Sequence, residues 1–193
     1  MAEAPGSNPG RSTKLEYRIE SEKMRIGIIS DTHDNVYAVL EIIEKLKEIK
    51  PDLLIHLGDI ISPATADMFK DLKTVFIRGN NDGDINQLEG IAMKNKQLFV
   101  NEFETNIDGK KLLAMHGHRS AWLQEMIKSG RYRYVLYGHT HQVRMEKINN
   151  TIVLNPGGHY YMSQGGIILL DTSNDKYDYI PISGGEKIES NNI

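Results

Sequence analysis

The feature that most constrains the fold is an alternation that begins at Met24. "MRIGIIS" is a short β-branched run, and "VYAVLEIIEKLKEIK" after it carries Val36, Val39, Leu40, Ile43 and Leu46 at helical spacing. Pro51 stops that helix. "DLLIHL" then gives a second strand, "PATADMFKDL" a short helix that Pro63 starts, and "KTVFIRG" a third strand. Strands separated by helices pair in parallel through right-handed crossovers, so this part of the chain commits to an α/β sheet.

Beyond Asn80 the texture changes. "KQLFV", "EFETNI" and "KKLLAMHG" are short extended runs around the hairpin signal Asp108-Gly109, and a helix follows near Trp122 to Lys128. "YRYVLYG", "QVRMEKI", "TIVLN", "GGIILLD" and "KYDYIPI" add strands, with Asn149-Asn150 as a turn between two of them. "NNDGDINQLEG" and "GGHYYMSQGG" read as loops. The economical architecture is a four-layer, two-sheet α/β sandwich, with mixed sheets face to face and helices outside.

A chain of 193 residues suits one domain, expected over residues 24–193. Residues 1–23, rich in Gly, Pro, Ser and charge, read as a flexible leader or cloning remnant. The net charge of -3 argues against long nucleic acid or an anionic membrane as partner. No apolar run approaches the ~20 residues that cross a bilayer. Cysteine is absent, so a metal would have to be held by His, Asp, Asn or Glu, and a cytoplasmic setting is expected.

Metal-capable side chains stand where the strands end. They are Asp31 and His33 in "SDTH", Asp59 in "LGD", Asn80 in "RGNND", His116 in "MHGH", and His139 and His141 in "GHTH". A Gly-His-x-His string is expected by chance roughly 0.02 times in a chain of this composition. In α/β sheets the carboxyl ends of strands face a common crevice, so residues far apart in sequence converge there. Gly58, Gly79, Gly117 and Gly138 permit tight turns and close backbone approach beside them. The mixed oxygen and imidazole set suits Mn, Fe, Zn, Ni or Co better than Ca or Mg. It is too large for one such ion and fits two ions roughly 3.5–4 Å apart that share a carboxylate.

These motifs, in this order from about Met24 to Ile182, resemble the calcineurin-like metallophosphoesterases, and within them the small single-domain phosphodiesterases of bacteria and archaea. The resemblance implies one metal on Asp31, His33, Asp59 and His141 and a second on Asp59, Asn80, His116 and His139, with Asp59 bridging. It also implies a dinuclear centre, manganese foremost, whose metal-activated hydroxide cleaves a small or nucleotide-derived phosphodiester. Asp59, Asn80 and His116 would take part in the chemistry as well as in metal binding. Many larger relatives carry His after the Gly-Asn asparagine; this chain has Asn81, which leaves His118 or a metal-bound water to supply the proton.

Other residues have more modest expectations. Asp82 anchors its loop, His56 is a core residue, His159 a loop or interface residue, and Arg78, Arg119 and Arg144 are surface ion-pair partners. The Tyr160–Tyr161 pair serves packing, loop anchoring or a contact in a homo-oligomer. The rival function is a non-catalytic or weakly catalytic metal-binding scaffold, as the retromer subunit of this fold is regarded. A phosphomonoesterase or protein phosphatase ranks below it, for want of long loops to grip a protein.

Overall fold

A computed structural model describes residues 23–160 and 163–183 of the chain. In order, the elements are β1 (Arg25–Ile29), α1 (Val36–Ile49), β2 (Leu53–His56), α2 (Pro63–Asp67), β3 (Thr74–Ile77), α3 (Ile85–Lys94) and β4 (Leu98–Val100). The second half supplies β5 (Glu102–Ile107), β6 (Lys110–Met115), α4 (Ser120–Lys128), β7 (Tyr134–Tyr137), β8 (Val143–Ile148), β9 (Thr151–Pro156), β10 (Gly166–Asp171) and β11 (Lys176–Pro181). The leader expected over 1–23 lies, apart from Lys23, outside the described residues, as does Tyr161.

Two mixed sheets form. One runs β11-β10-β1-β2-β3-β4, with β1 to β4 parallel and β10 and β11 antiparallel; the other runs β5-β6-β7-β9-β8. The short apolar strands explain why they pack face to face. Ile26, Ile28, Leu53 and Ile55 of the first sheet meet Leu112, Ala114, Tyr134 and Leu136 of the second in one buried cluster. Each such side chain contributes about 1.5–3 kcal/mol by leaving water. The outer faces are covered by α1, α2 and α3 on the first sheet and by α4 on the second. The result is the four-layer sandwich expected.

Local chemistry sets the turns. Asp108 (φ 50°) and Gly109 (φ 73°) join β5 to β6, and Asn149 (φ 53°) begins the two-residue turn from β8 to β9. Two expectations need correction. The buried stripe of α1 is Ala38, Val39, Ile42 and Leu46, whereas Val36 and Leu40 face solvent, because the helix docks on Ile29, Leu54 and Phe76 one turn-face round. The segment "NNDGDINQLEG" is not all loop: Asp84 caps α3 by accepting from the Gln87 N–H at 3.1 Å, and Leu88 and Ala92 bury its inner face.

The end of the sandwich opposite the carboxyl ends of β1 to β3 is fastened by one carboxylate. Asp175, in the β10–β11 turn of the first sheet, accepts from Lys110 Nζ at 3.0 Å, from Arg133 Nη2 at 2.6 Å and from the Tyr134 hydroxyl, all on the second sheet. Partial burial pushes the Asp175 pKa up, but these donors hold it well below the usual carboxylate range. Asp175→Ala therefore separates three donors from their acceptor and should lower stability by about 2 kcal/mol. Urea unfolding monitored by circular dichroism reads this as a drop in midpoint at unchanged slope; a midpoint within error of wild type contradicts the fastening role.

Candidate metal centre

The carboxyl ends of β1, β2 and β3 in one sheet and of β6 and β7 in the other run into loops that meet. Asp31 (φ 52°), His33 (φ 45°), Asp59 (φ 55°), His139 (φ 65°) and His141 (φ 55°) all have left-handed backbones. Such conformations cost a residue with a Cβ on the order of 1–3 kcal/mol each. The surrounding structure holds them nonetheless: Asp31 N donates to Gly58 O at 2.9 Å, His33 N to Asp59 O at 3.0 Å, and His139 N to Asp31 Oδ2 at 2.9 Å. The strain turns carboxylates and imidazoles toward a common point.

One donor from each of Asp31, His33, Asp59 and His141 lies within 4.8 Å of the others, a group able to hold a metal ion. Asp31 Oδ2 is taken up by His139 N and the Ser30 hydroxyl. Its Oδ1 is buried without a hydrogen-bond partner among the described residues and faces His141 Nε2 at 3.3 Å. His33 Nε2 lies 3.2 Å from His141 Nε2 and 3.5 Å from Asp59 Oδ2. On the other side of Asp59, His116 Nδ1 donates to Leu57 O at 2.8 Å, which directs Nε2 toward Asn80 Oδ1 at 3.0 Å and Asp59 Oδ1 at 3.5 Å. The His139 ring stands beside His116, with centroids 5.1 Å apart, and His118 lies 5.6 Å from His116. The seven metal-capable residues read from the strand ends, together with His118, are thus brought near one another.

Acceptors that face one another at 3.0–3.5 Å repel unless positive charge lies between them. The titration of the group reflects this. Burial works to raise the Asp59 pKa, but His116 and the donations from Asn81 hold it well below the carboxylate range. Burial works against a charged His116, yet Asp59 and Asp31 raise its pKa above the ordinary histidine value. Burial lowers the pKa of His33 and of His139, and the Asp31 carboxylate beside it raises that of His141. The donor set fits divalent transition metals: carboxylate oxygens and imidazole nitrogens directed inward, one imidazole anchored through Nδ1 so that Nε2 points into the group, and a buried carboxylate oxygen facing an imidazole nitrogen.

The role of Ser30 and the contacts made by Asn81 and Tyr160 had no signal in the sequence, whereas Asp82 and His56 stand as expected. Asn81 donates its backbone N–H to Asp59 Oδ1 and its side-chain amide to Asp59 Oδ2, both at 2.8 Å. Ser30 holds Asp31, and Tyr160 sets its ring 4.8 Å from that of His33 instead of serving core packing. Asp82 fastens two loops, accepting from Ile60 N at 2.7 Å, Ile61 N at 2.9 Å and Gly79 N at 2.6 Å. His56 lies wholly buried between Phe69 and Phe76, and desolvation lowers its pKa to about 3. His159 is buried as well, donating its N–H to Asp31 O at 2.8 Å, so it belongs beneath the site and not to an exposed interface. Arg119 pairs with Glu102 and Arg144 with Glu146.

Mixed sheets packed face to face, with carboxylates and imidazoles gathered where their strands end, define a metal-dependent phosphoesterase. The chain belongs to the calcineurin-like phosphoesterase superfamily, whose domain it matches over residues 24–175. A phosphodiesterase of Methanocaldococcus jannaschii is 36% identical over 160 residues, covering 80% of this chain and 96% of that protein. The solved structure of an archaeal phosphodiesterase superposes with a TM-score of 0.77 at 33% identity, covering 82% of this chain and all of that one, 100%. Vps29 of Entamoeba histolytica, solved with zinc, has the same fold with a TM-score of 0.57 at 17% identity, over 82% of this chain and 99% of that one.

Gly138 supplies space rather than a left-handed turn. A Cβ there would collide with the Ser30 hydroxyl and fall 2.6 Å from Asp31 Oδ2. Gly138→Ala should therefore displace Asp31, lower stability by about 1–3 kcal/mol and weaken manganese binding at least about tenfold. Isothermal titration with manganese alongside thermal unfolding checks both; wild-type affinity would show that Asp31 needs no such clearance.

Proposed function

We propose that the chain hydrolyses phosphodiester bonds of a small or nucleotide-derived substrate at a centre of two divalent transition-metal ions, manganese foremost, with Ni, Fe, Zn or Co as alternatives. One observation carries the dinuclear reading. Asp59 has an imidazole nitrogen 3.5 Å from each of its oxygens, His33 at Oδ2 and His116 at Oδ1, the donor pattern of a bridging carboxylate. Asp31, His33, Asp59 and His141 hold one cation in this reading, and Asp59, Asn80, His116 and His139 the other. When bound, the cations supply Lewis acidity toward the phosphoryl oxygens and a water-derived nucleophile at neutral pH.

The protein's own groups do the rest. Asp31 and Asp59 are the carboxylates of the donor set and its other members are neutral, so the loaded site keeps positive charge for a phosphodiester anion. Asn81, standing where many relatives have His, clasps both oxygens of Asp59 and fixes the bridge. In this reading His118, exposed and with its ring centroid 6.3 Å from that of His139, gives a proton to the departing ester oxygen. Burial, His116 and His139 hold its pKa below the ordinary value, so the protonated form is the minority at neutral pH and activity through it falls as pH rises. The diester preference draws on the phosphodiesterase relative. A cytoplasmic setting is carried by the cysteine-free composition; among the described residues no helix is long and apolar enough to cross a membrane.

Hydrolysis of a chromogenic bis-aryl phosphodiester with added manganese tests the proposal. Asp59→Ala and His116→Ala should each lower kcat/KM by more than about a hundredfold. His118→Ala should cost about a hundredfold on poor leaving groups and less on good ones. A folded wild-type chain that turns over no phosphoester with any divalent metal would assign it the scaffold role instead.

A further inference from the structure

Tyr160 is a large aromatic residue left 57% exposed at the edge of a group of charged and polar donors. Its ring centroid lies 4.8 Å from that of His33 at an interplanar angle of 50°, and 6.1 Å from that of His141 at 67°. Both histidines belong to the four-residue group around Asp31 and Asp59. The ring therefore touches the donor group on one side and offers the remainder of its surface to whatever enters the crevice.

The backbone that carries it is pinned on both sides. His159 N donates to Asp31 O at 2.8 Å, Asn35 Nδ2 to His159 O at 3.0 Å, and Ser163 N to Tyr160 O at 3.0 Å, reinforced by the Ser163 hydroxyl. Asn35, which holds His159 O, is followed by Val36 and Tyr37, the first residues of α1, 47% and 68% exposed. Across Asp59 from His33 stand polar residues: Asn80, Asn81, His118 and His139 are exposed, and His116 Nε2 lies beside Asn80 and Asp59 Oδ1.

We propose that Tyr160 is the platform for a planar aromatic arm of the substrate, an aryl or nucleobase group joined to the phosphate. This rests on the phosphodiesterase reading above and names the chemistry of one of the two ester arms. Aromatic rings stack with centroids about 4.5–7 Å apart, and a ring already packed on two imidazoles loses little freedom when a second ring covers it. The arm on the Tyr160 side is flat and apolar, and the arm on the Asn80 and His118 side is hydrophilic.

Binding of two non-hydrolysable probes to the manganese-loaded chain, measured by calorimetry, isolates the ring. Phenylphosphonate should bind about tenfold more tightly than methylphosphonate. Tyr160→Ala should bring that ratio close to one, and Tyr160→Phe should keep it, with manganese content unchanged in both. A wild-type ratio near one, or a ratio that survives Tyr160→Ala, overturns the platform and leaves the phosphoesterase site standing. Binding of neither phosphonate overturns the site and the platform with it. Adenosine 5′-monophosphate against ribose 5-phosphate then identifies the source of the ring. A preference larger than that for phenyl over methyl, lost in Tyr160→Ala, makes it a nucleobase; a Tyr160-dependent preference no larger makes it a simple aryl group.

Discussion

The structure turns on the encirclement of one buried carboxylate. Asp59 is 1% exposed, accepts two hydrogen bonds from Asn81, and still faces an imidazole nitrogen from each oxygen. With His116 tied through Nδ1 to Leu57 O, its inward Nε2 faces a carboxylate oxygen, and a proton or a cation between the two removes the repulsion of their lone pairs. The backbone is bent to the same end, since five of the inward-facing residues adopt left-handed conformations that side chains ordinarily avoid. Stability is given up locally to hold carboxylates and imidazoles in a group able to hold a metal ion.

The sandwich supplies what those loops lack. Ile and Leu side chains from both sheets fill the interior and fix where each strand ends, while Asp175 joins the sheets at the opposite end. Asp82 ties the loop after β2, which carries Asp59, to the loop after β3, which carries Asn80. Ile61, between them, is held at φ 78°, a conformation expensive for a β-branched residue. Function and fold are joined through these fastenings: the rigid sheets set the distances between loops, and the loops set the directions of the donors.

The strand ends were readable from the sequence because each donor lies within four residues of the end of an apolar run, and the topology of parallel strands then brings the ends together. The hairpin at Asp108-Gly109 was readable for the same local reason. The face of α1 was not, since Val36 and Leu40 are as apolar as Val39 and only docking against Phe76 decides which face is buried. α3 was hidden by Gly83, Gly90 and a run of polar residues around the sparse pair Leu88 and Ala92, although Asp84 carried a usable cap signal. Asn81 and Tyr160 act through partners distant in the chain, Asp59 and His33, and no local pattern announces such contacts. His159 reads as a loop residue and proves buried because the loop folds back beneath Asp31.

The most direct measurement is the anomalous diffraction of crystals grown with manganese. Two peaks of comparable height, one on either side of the Asp59 carboxylate, with Asp31, His33 and His141 near the first and Asn80, His116 and His139 near the second, are the predicted result. A single peak confined to the Asp31, His33, Asp59 and His141 group at saturating manganese would contradict the bridging role of Asp59 and the two-metal chemistry built on it.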